Sequence, residues 1–561
     1  MLLPFLCSLC LMWTKGAEAS DPNLPFMDYL DNNHMVCLKW GFDEMRGEIV
    51  LKFIVNTTGW IGFGLSPTED MTGADLVMGG VGSSETYFKD YYSASNTMPA
   101  VDRVQSYTLL SLTESQGQTI MTFSRSFHTC DDQDLQITAQ PMNLIYAYGD
   151  TDDIDYHGAQ AGVKELSLLN PQPQVSVAGG KYMSVTVQNV TIPPDDTYYY
   201  CKVMQLPPLD TKHHIYQFQP VIEHPDLVHH MVFYRCPPFV TAPSGGKCYK
   251  GKEDACLAVV AAWAVGGGVF TLPDNTGFPV GGGDNGGFYM LQIHYDNPKK
   301  ESGRTDNSGM RLLYTDQLRQ YDVGILTTGV SVTAHTYYDI PARANKFRTY
   351  GVCNTSLFSE IINPVPDLHV FAVGMHTHLA GREVRIGHFR NGRQIDFLDL
   401  DPNYDFNLQQ TVTLGRTKTI KKGDEIVVEC GYSTSDRAGV THMGLATMDE
   451  MCLAFLVFYP RIAISTCISL PNITTLNQFP DGSSNQEQII AYEKAMKNLS
   501  HIEFVIGDAF DVHIYPNGQV RDMMPSPTFP CNATNAANHQ RTSWIWSQAS
   551  LLFVLALIAL M

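Results

Sequence analysis

Short runs of alternating apolar and polar residues, broken every few positions by Gly, Asn, Asp or Ser, fill most of this chain. Between about Ser20 and Gly162, the runs Glu48 to Val55 and Gln118 to Phe123 are typical, and their period of two predicts an antiparallel β-sandwich. Asn170-Pro171-Gln172-Pro173 interrupts the pattern and reads as a linker. From Tyr182 to about Phe510 strand-type runs resume, among them Leu291 to Tyr295 and Glu425 to Glu429. Asn485 to Leu499 is the best helical candidate. Gly266 to Gly287 reads as a loop or a set of tight turns, and it lacks the Lys-Ser/Thr that a phosphate-cradling loop needs.

Composition narrows the class. Charged residues are 17% and apolar residues 44% of 561, the mix of ordered globular domains, and the length allows several separate cores. The net charge is −20, from 37 basic and 57 acidic residues, and no basic run interleaves with aromatics. That excludes a nucleic-acid partner. The apolar run Leu2 to Trp13 followed by Ala17-Glu18-Ala19 reads as a secretory signal peptide over residues 1–19. At the far end residues 544–561 are apolar, either a transmembrane helix or a lipid-anchor signal, and either attaches the protein to a membrane of the secretory pathway, endoplasmic reticulum or cell surface, with its bulk on the luminal or extracellular side. Eleven cysteines remain after the signal takes Cys7 and Cys10, and none of the eleven forms a Cys-x-x-Cys pair. They predict disulfides with one thiol left over, not a zinc ribbon. Glycosylation sequons stand at Asn56, Asn189, Asn354, Asn472, Asn498 and Asn532.

Eighteen histidines make chance clusters certain, and His34, His128, His213, His214 and His539 read as surface or satisfied structural groups. Three patterns stand apart. His229-His230 are vicinal, so on an ideal strand they face opposite ways and share an ion only where the chain twists or bulges. His294 is centred in a strand-like run. His376-Thr377-His378 has the i,i+2 spacing that puts both imidazoles on one face of a strand, which suits chelation of one ion. Taken singly, each pattern is also compatible with a structural role.

Together they resemble the copper type II, ascorbate-dependent monooxygenases, the dopamine β-hydroxylase-like kind. His229-His230-Met231, Leu291-Gln292-Ile293-His294-Tyr295, His376-Thr377-His378 and Glu450-Met451-Cys452 match that family's motifs in order. Gly59-Trp60-Ile61-Gly62-Phe63-Gly64-Leu65-Ser66 and Gly73-Ala74-Asp75-Leu76-Val77 resemble the DOMON domain of its hydroxylase-like branch. The resemblance implies a mainly β chain: a DOMON β-sandwich over residues 20–165, two antiparallel β-sandwich copper-binding domains over 182–335 and 336–515, and a polar tail over 516–543.

By the same resemblance, His229, His230 and His294 would hold an electron-transfer copper reloaded by ascorbate. His376, His378 and Met451 would hold the copper that meets O2 and a small-molecule substrate; a thioether favours Cu(I) there and argues against zinc or magnesium. His369, seven residues before His376, is a candidate supporting group. Peptidylglycine-hydroxylating relatives grip a carboxylate with an Arg, an Asn and a Tyr at positions that are Gly374, Leu453 and Phe455 here. A peptide is therefore disfavoured, and an aromatic amine or another hydrophobic small molecule is expected. Phe455 also departs from the Tyr of dopamine β-hydroxylase. The implied disulfides are Cys201–Cys248, Cys236–Cys256, Cys353–Cys467, Cys430–Cys452 and Cys130–Cys531, with Cys37 left over. Leu357 stands where dopamine β-hydroxylase has a further Cys. A catalytically silent binding protein and a peptide hydroxylase are the rival readings, and a homo-oligomer is left open.

Overall fold

The computed structural model describes residues 24–527, apart from 83–84, 139–140, 170, 172–179, 249–254, 266, 283–286, 332–337 and 474–484. The expected signal peptide, the apolar segment 544–561, Cys531 and Asn532 lie outside the described residues. Among the described residues no helix is long and apolar enough to cross a membrane.

The architecture is mainly β, three double-sheet units in chain order. In the first, a five-stranded sheet built on Val36–Asp43, Glu48–Val55 and Gln118–Ser126 faces a six-stranded sheet built on Ile61–Ser66, Ala74–Val81 and Met142–Tyr148. Glu48–Val55 alternates half-buried and buried residues along its length, as the sequence pattern demands, and Leu51, Phe53, Phe63 and Phe123 fill the space between the sheets.

The second unit carries a five-stranded sheet in the order Ser244–Lys247, Thr197–Gln205, Phe288–Asp296, Val228–Arg235, Ala258–Ala264. Its inner face packs Met231, Phe233, Leu291 and Ile293 against Ile215, Phe278 and Leu312 of the opposing sheet. The Gly-rich stretch departs from expectation: Thr276–Gly281 is a strand paired with Lys212–Val221, because Phe278 and Val280 are buried between the sheets.

The third unit sets a seven-stranded sheet against four strands, Phe347–Asn354, Glu425–Tyr432, Gly381–Arg390 and Arg393–Asp401. Two expected boundaries move. Gly324–Val330 lies within the seven-stranded sheet, between Leu453–Tyr459 and Ile464–Pro471, so the second unit ends by Asp322 rather than residue 335. Val512–Gly518 is the last strand of that sheet, and Arg521 then holds Glu425 with two bonds of 2.7 and 2.9 Å, which keeps part of the expected tail on the domain. The expected helix is Gln486–Asn498, started by a capping box of Asn485 and Gln488.

The units are packed together. Phe371, Ala372 and Val457 of the third belong to the core of the second. Phe42 of the first lies where a Cβ on Gly415 would strike its ring at 2.3 Å, and Asp43 pairs with Arg416 at 3.0 Å.

Candidate metal centre

His229 and His230 sit on Val228–Arg235, and His294 lies on the neighbouring Phe288–Asp296, directly opposite His230. The pairing slips by one residue between Val228 and His230. That irregularity is what vicinal histidines need in order to turn toward one point. Nδ1 of His229 stands 3.3 Å from Nδ1 of His230, and Nδ1 of His294 stands 3.4 Å from the same atom. Two nitrogens bound to one ion at about 2.0 Å, roughly a tetrahedral angle apart, are about 3.3 Å from each other. All three side chains are buried. Burial, with the neighbouring His376 adding, holds the His229 imidazole down at about 4, and burial with mutual repulsion keeps His230 and His294 well below the usual imidazole range. Protons therefore do not fill the space between these lone pairs. His229 Nε2 is buried without a hydrogen-bond partner. His294 Nε2 faces Thr447 Oγ1 at 3.2 Å, and Tyr199 stacks on the same ring at 4.3 Å.

The second set is built differently. His376 ends the strand Leu368–His376, and His378 lies beyond it, so the two do not share a strand face as the spacing suggested. Their rings are brought within 5.1 Å by the turn that follows. Each is oriented by an acceptor: His376 Nδ1–H donates to Gln409 Oε1 at 2.5 Å, and His378 Nδ1–H donates to the Asp449 carbonyl at 3.1 Å. Both therefore present Nε2 as a lone pair, and His378 Nε2 is buried and unpartnered. Burial holds His376 at about 4. Glu450, buried among these groups, accepts the backbone N–H groups of His378 at 2.8 Å and Ala380 at 2.6 Å. Met451 follows it, also buried; the Tyr432 hydroxyl donates to the Met451 carbonyl at 2.7 Å, and Cys452 is bridged to Cys430.

The two sets touch. His230 and His376 lie 5.4 Å apart by ring centroids. Phe406 stacks on His229 at 4.0 Å and meets His378 edge-on at 6.3 Å. Beside them a cavity of about 380 Å³ opens where the three units meet, walled by Phe42, Glu44, Trp263, Met375, Asp399 and Gln409 among others. Burial, then the nearby Glu44, pushes the Asp399 carboxyl up to about 8.

Residues 183–302 match the family model of the copper type II ascorbate-dependent monooxygenase N-terminal domain, and residues 321–480 that of its C-terminal domain. Human DBH-like monooxygenase protein 1 is 37% identical over 84% of this chain and 79% of its own length. This chain belongs to the copper type II ascorbate-dependent monooxygenases. Among other relatives of this chain, mouse DBH-like monooxygenase protein 2 is 37% identical over 94% of the chain and 89% of its own length, and bovine dopamine beta-hydroxylase 30% over 81% and 77%. Residues 32–149 match the DOMON domain. The family takes two copper ions and ascorbate as reductant. The donors fit: a nitrogen-only trio at ligation spacing, and a neutral imidazole pair whose His378 is held by Glu450, the residue before the buried Met451.

Among the described residues four disulfides are closed, Cys201–Cys248, Cys236–Cys256, Cys353–Cys467 and Cys430–Cys452, four of the five pairings the resemblance implied. Cys37 is a buried thiol. His369 does not reach the centre. It bonds Thr419 at 3.1 Å and packs on Tyr459, and seven residues along a strand span roughly 23 Å. His214 is a satisfied structural group, held by Asp322 at 2.8 Å and by the Arg319 backbone N–H at 2.9 Å. Sequence reasoning missed Phe406, Gln409 and Thr447, which touch the imidazoles from loops. It quoted Glu450 as a motif letter without assigning it a task.

Proposed function

We propose that this chain is an active copper monooxygenase that hydroxylates a C–H bond of a small aromatic amine with O2 and ascorbate. In this reading His229, His230 and His294 hold one copper and His376, His378 and Met451 the other. The observation that carries it is the set of buried, neutral imidazole nitrogens, three Nδ1 atoms converging at 3.3–3.4 Å and two Nε2 atoms left as lone pairs by the bonds from Nδ1 to Gln409 and Asp449.

Bound there, copper supplies one-electron transfer at the nitrogen-only site and oxygen activation where a soft thioether favours Cu(I). The chain's own groups do the rest. Burial keeps the imidazoles unprotonated and available, Gln409 and Asp449 fix the tautomers of His376 and His378, and Phe406 packs an apolar ring against both sets.

An amine is supported by what lines the approach. Gly374 and Phe455 face each other across the sheet and Leu453 pairs with His376, so none of the three offers a grip for a carboxylate. The three-unit cavity combines Phe42, Trp263 and Phe270 with the carboxyl groups of Glu44, Asp399 and Asp401, an apolar body and an acidic end; burial raises all three carboxyls, and an ammonium group placed among them would favour their charged form. In this reading the DOMON unit supplies part of the substrate's surroundings. Secretion suits the disulfides; Asn56, Asn189 and Asn498 are exposed and open to glycosylation, and the segment 544–561 would anchor the protein to a membrane.

Copper analysis of the purified protein, with oxygen uptake measured against phenylethylamines and glycine-extended peptides, tests the proposal. Two coppers per chain and uptake requiring both ascorbate and an amine are expected. Equal rates with a peptidylglycine would overturn the amine assignment. Full copper loading without uptake on any substrate would make the chain a binding protein.

A further inference from the structure

Every imidazole of the trio meets a side chain from the third unit. Phe406 covers His229 at 4.0 Å, His376 faces His230 at 5.4 Å, and Thr447 Oγ1 stands 3.2 Å from His294 Nε2. The trio is carried by strands of the second unit, yet its surroundings are completed from across the interface.

Thr447 is the most specific of the three. An imidazole that turns Nδ1 toward its neighbours carries its proton on Nε2, and in a buried site that N–H requires an acceptor. The Thr447 hydroxyl stands at hydrogen-bond distance of that Nε2. Thr447 is buried, and its oxygen lies 2.6 Å from Thr197 Oγ1, so its own proton has a place to go. The chain His294 Nε2–H to Thr447 O–H to Thr197 is thus complete, with the first and last members in the second unit and the middle one in the third.

We propose that Thr447 is a positioning residue for the nitrogen-only site, supplied by the opposite sandwich, and that it sets the tautomer and ring orientation of His294. The proposal rests on the reading that the trio holds copper. Thr447 lies on the loop that also serves the second set, because Asp449 and Glu450 hold His378 through its ring and its backbone N–H. The second site is therefore an internal control. A disturbed loop would harm both sites, whereas a lost hydrogen bond to His294 harms one.

The test is copper titration of the copper-free full chain against a competing chelator, with the Cu(II) electron paramagnetic resonance signal and reduction potential of each site recorded. T447V is close to isosteric and removes the hydroxyl. It should weaken the nitrogen-only site about 10- to 100-fold, the usual effect of removing the outer partner of a ligating histidine. It should also shift that site's signal and potential while leaving the second site as in the wild type. T447S should restore both. If T447V does not fold, T447A gives the same readouts. Unchanged affinity and signal in a folded variant would overturn the proposal, and so would equal weakening of both sites. An H294A variant that takes up copper as the wild type does would instead sink the assignment of the trio, a separate failure.

Discussion

The two histidine sets lie side by side but owe their shape to different physics. The trio is set by sheet register: His230 and His294 are cross-strand neighbours, a bulge turns His229 toward them, and aromatic faces of Tyr199 and Phe406 hold the rings. The pair is set by loops: His376 is the last residue of its strand, His378 is beyond it, and hydrogen bonds donated to Gln409, Asp449 and Glu450 fix both. A sheet-borne site is rigid because the backbone ladder holds it. A loop-borne site is only as rigid as the few polar groups that hold the loop, here together with the Cys430–Cys452 bridge.

Removing a donor from either set gives the largest effect. H294A and H378A should each reduce bound copper from two per chain to one, and each should abolish the hydroxylation proposed above. Copper analysis beside a product assay reads both. A variant that kept both ions and its rate would break the division into two sets.

Replacing Glu450 comes next. Its carboxyl is buried, and burial pushes it up to about 7, yet it accepts two backbone N–H groups. E450L leaves both donors unsatisfied, each costing about 1–3 kcal/mol. Denaturant melts should therefore show a loss of about 2–6 kcal/mol, and copper should leave the second set before the trio. Loss from the trio first would contradict the idea that the loop, and not the sheet, depends on this carboxylate.

The dependence on pH is smaller and common to both sets. A neutral imidazole binds copper and a protonated one does not. At an ordinary value of about 6.5, each imidazole would lose about tenfold in apparent affinity between pH 7.5 and 5.5. His229 and His376 are held at about 4, and burial keeps His230, His294 and His378 well below the usual imidazole range, so protons compete little between pH 7.5 and 5.5. Copper affinity measured at pH 5.5 and 7.5 should agree within about threefold. A tenfold fall for either set would mean that its rings are less buried than they stand here.

The same contrast explains what could be read in advance. Strand-borne features were legible: Glu48–Val55 alternates as its sequence does, and the motifs around His230 and His294 fall on paired strands. The vicinal pair needed a bulge, which residue types allow but do not announce. Loop-borne features were not legible. Thr447 is 153 residues from His294 and Gln409 is 33 from His376, so no local pattern joins them, and a Thr or Gln in a loop has many innocent reasons to be there. The spacing of His376 and His378 suggested one strand face, but the strand ends at His376 and Glu450 takes over. His369 failed for the opposite reason, since a regular strand carries it steadily away from the site.

The smallest effect separates the two sets most finely. Tyr199 lies flat on the His294 ring, 4.3 Å between centroids and 4° between planes, on Thr197–Gln205, which pairs with the strand of His294 in the same sheet. Aromatic pairs of this kind contribute about 0.5–1.5 kcal/mol beyond their buried area, a factor of roughly 2 to 12 in an equilibrium constant. Y199L keeps the apolar bulk and removes the stacked face. Copper titration should find the nitrogen-only site weakened within that range, with the second set unchanged, because Tyr199 has no counterpart among the hydrogen-bonding groups that hold His376 and His378. A change in the second set, or none in the first, would mean that stacking does not hold the trio in place and that register alone suffices.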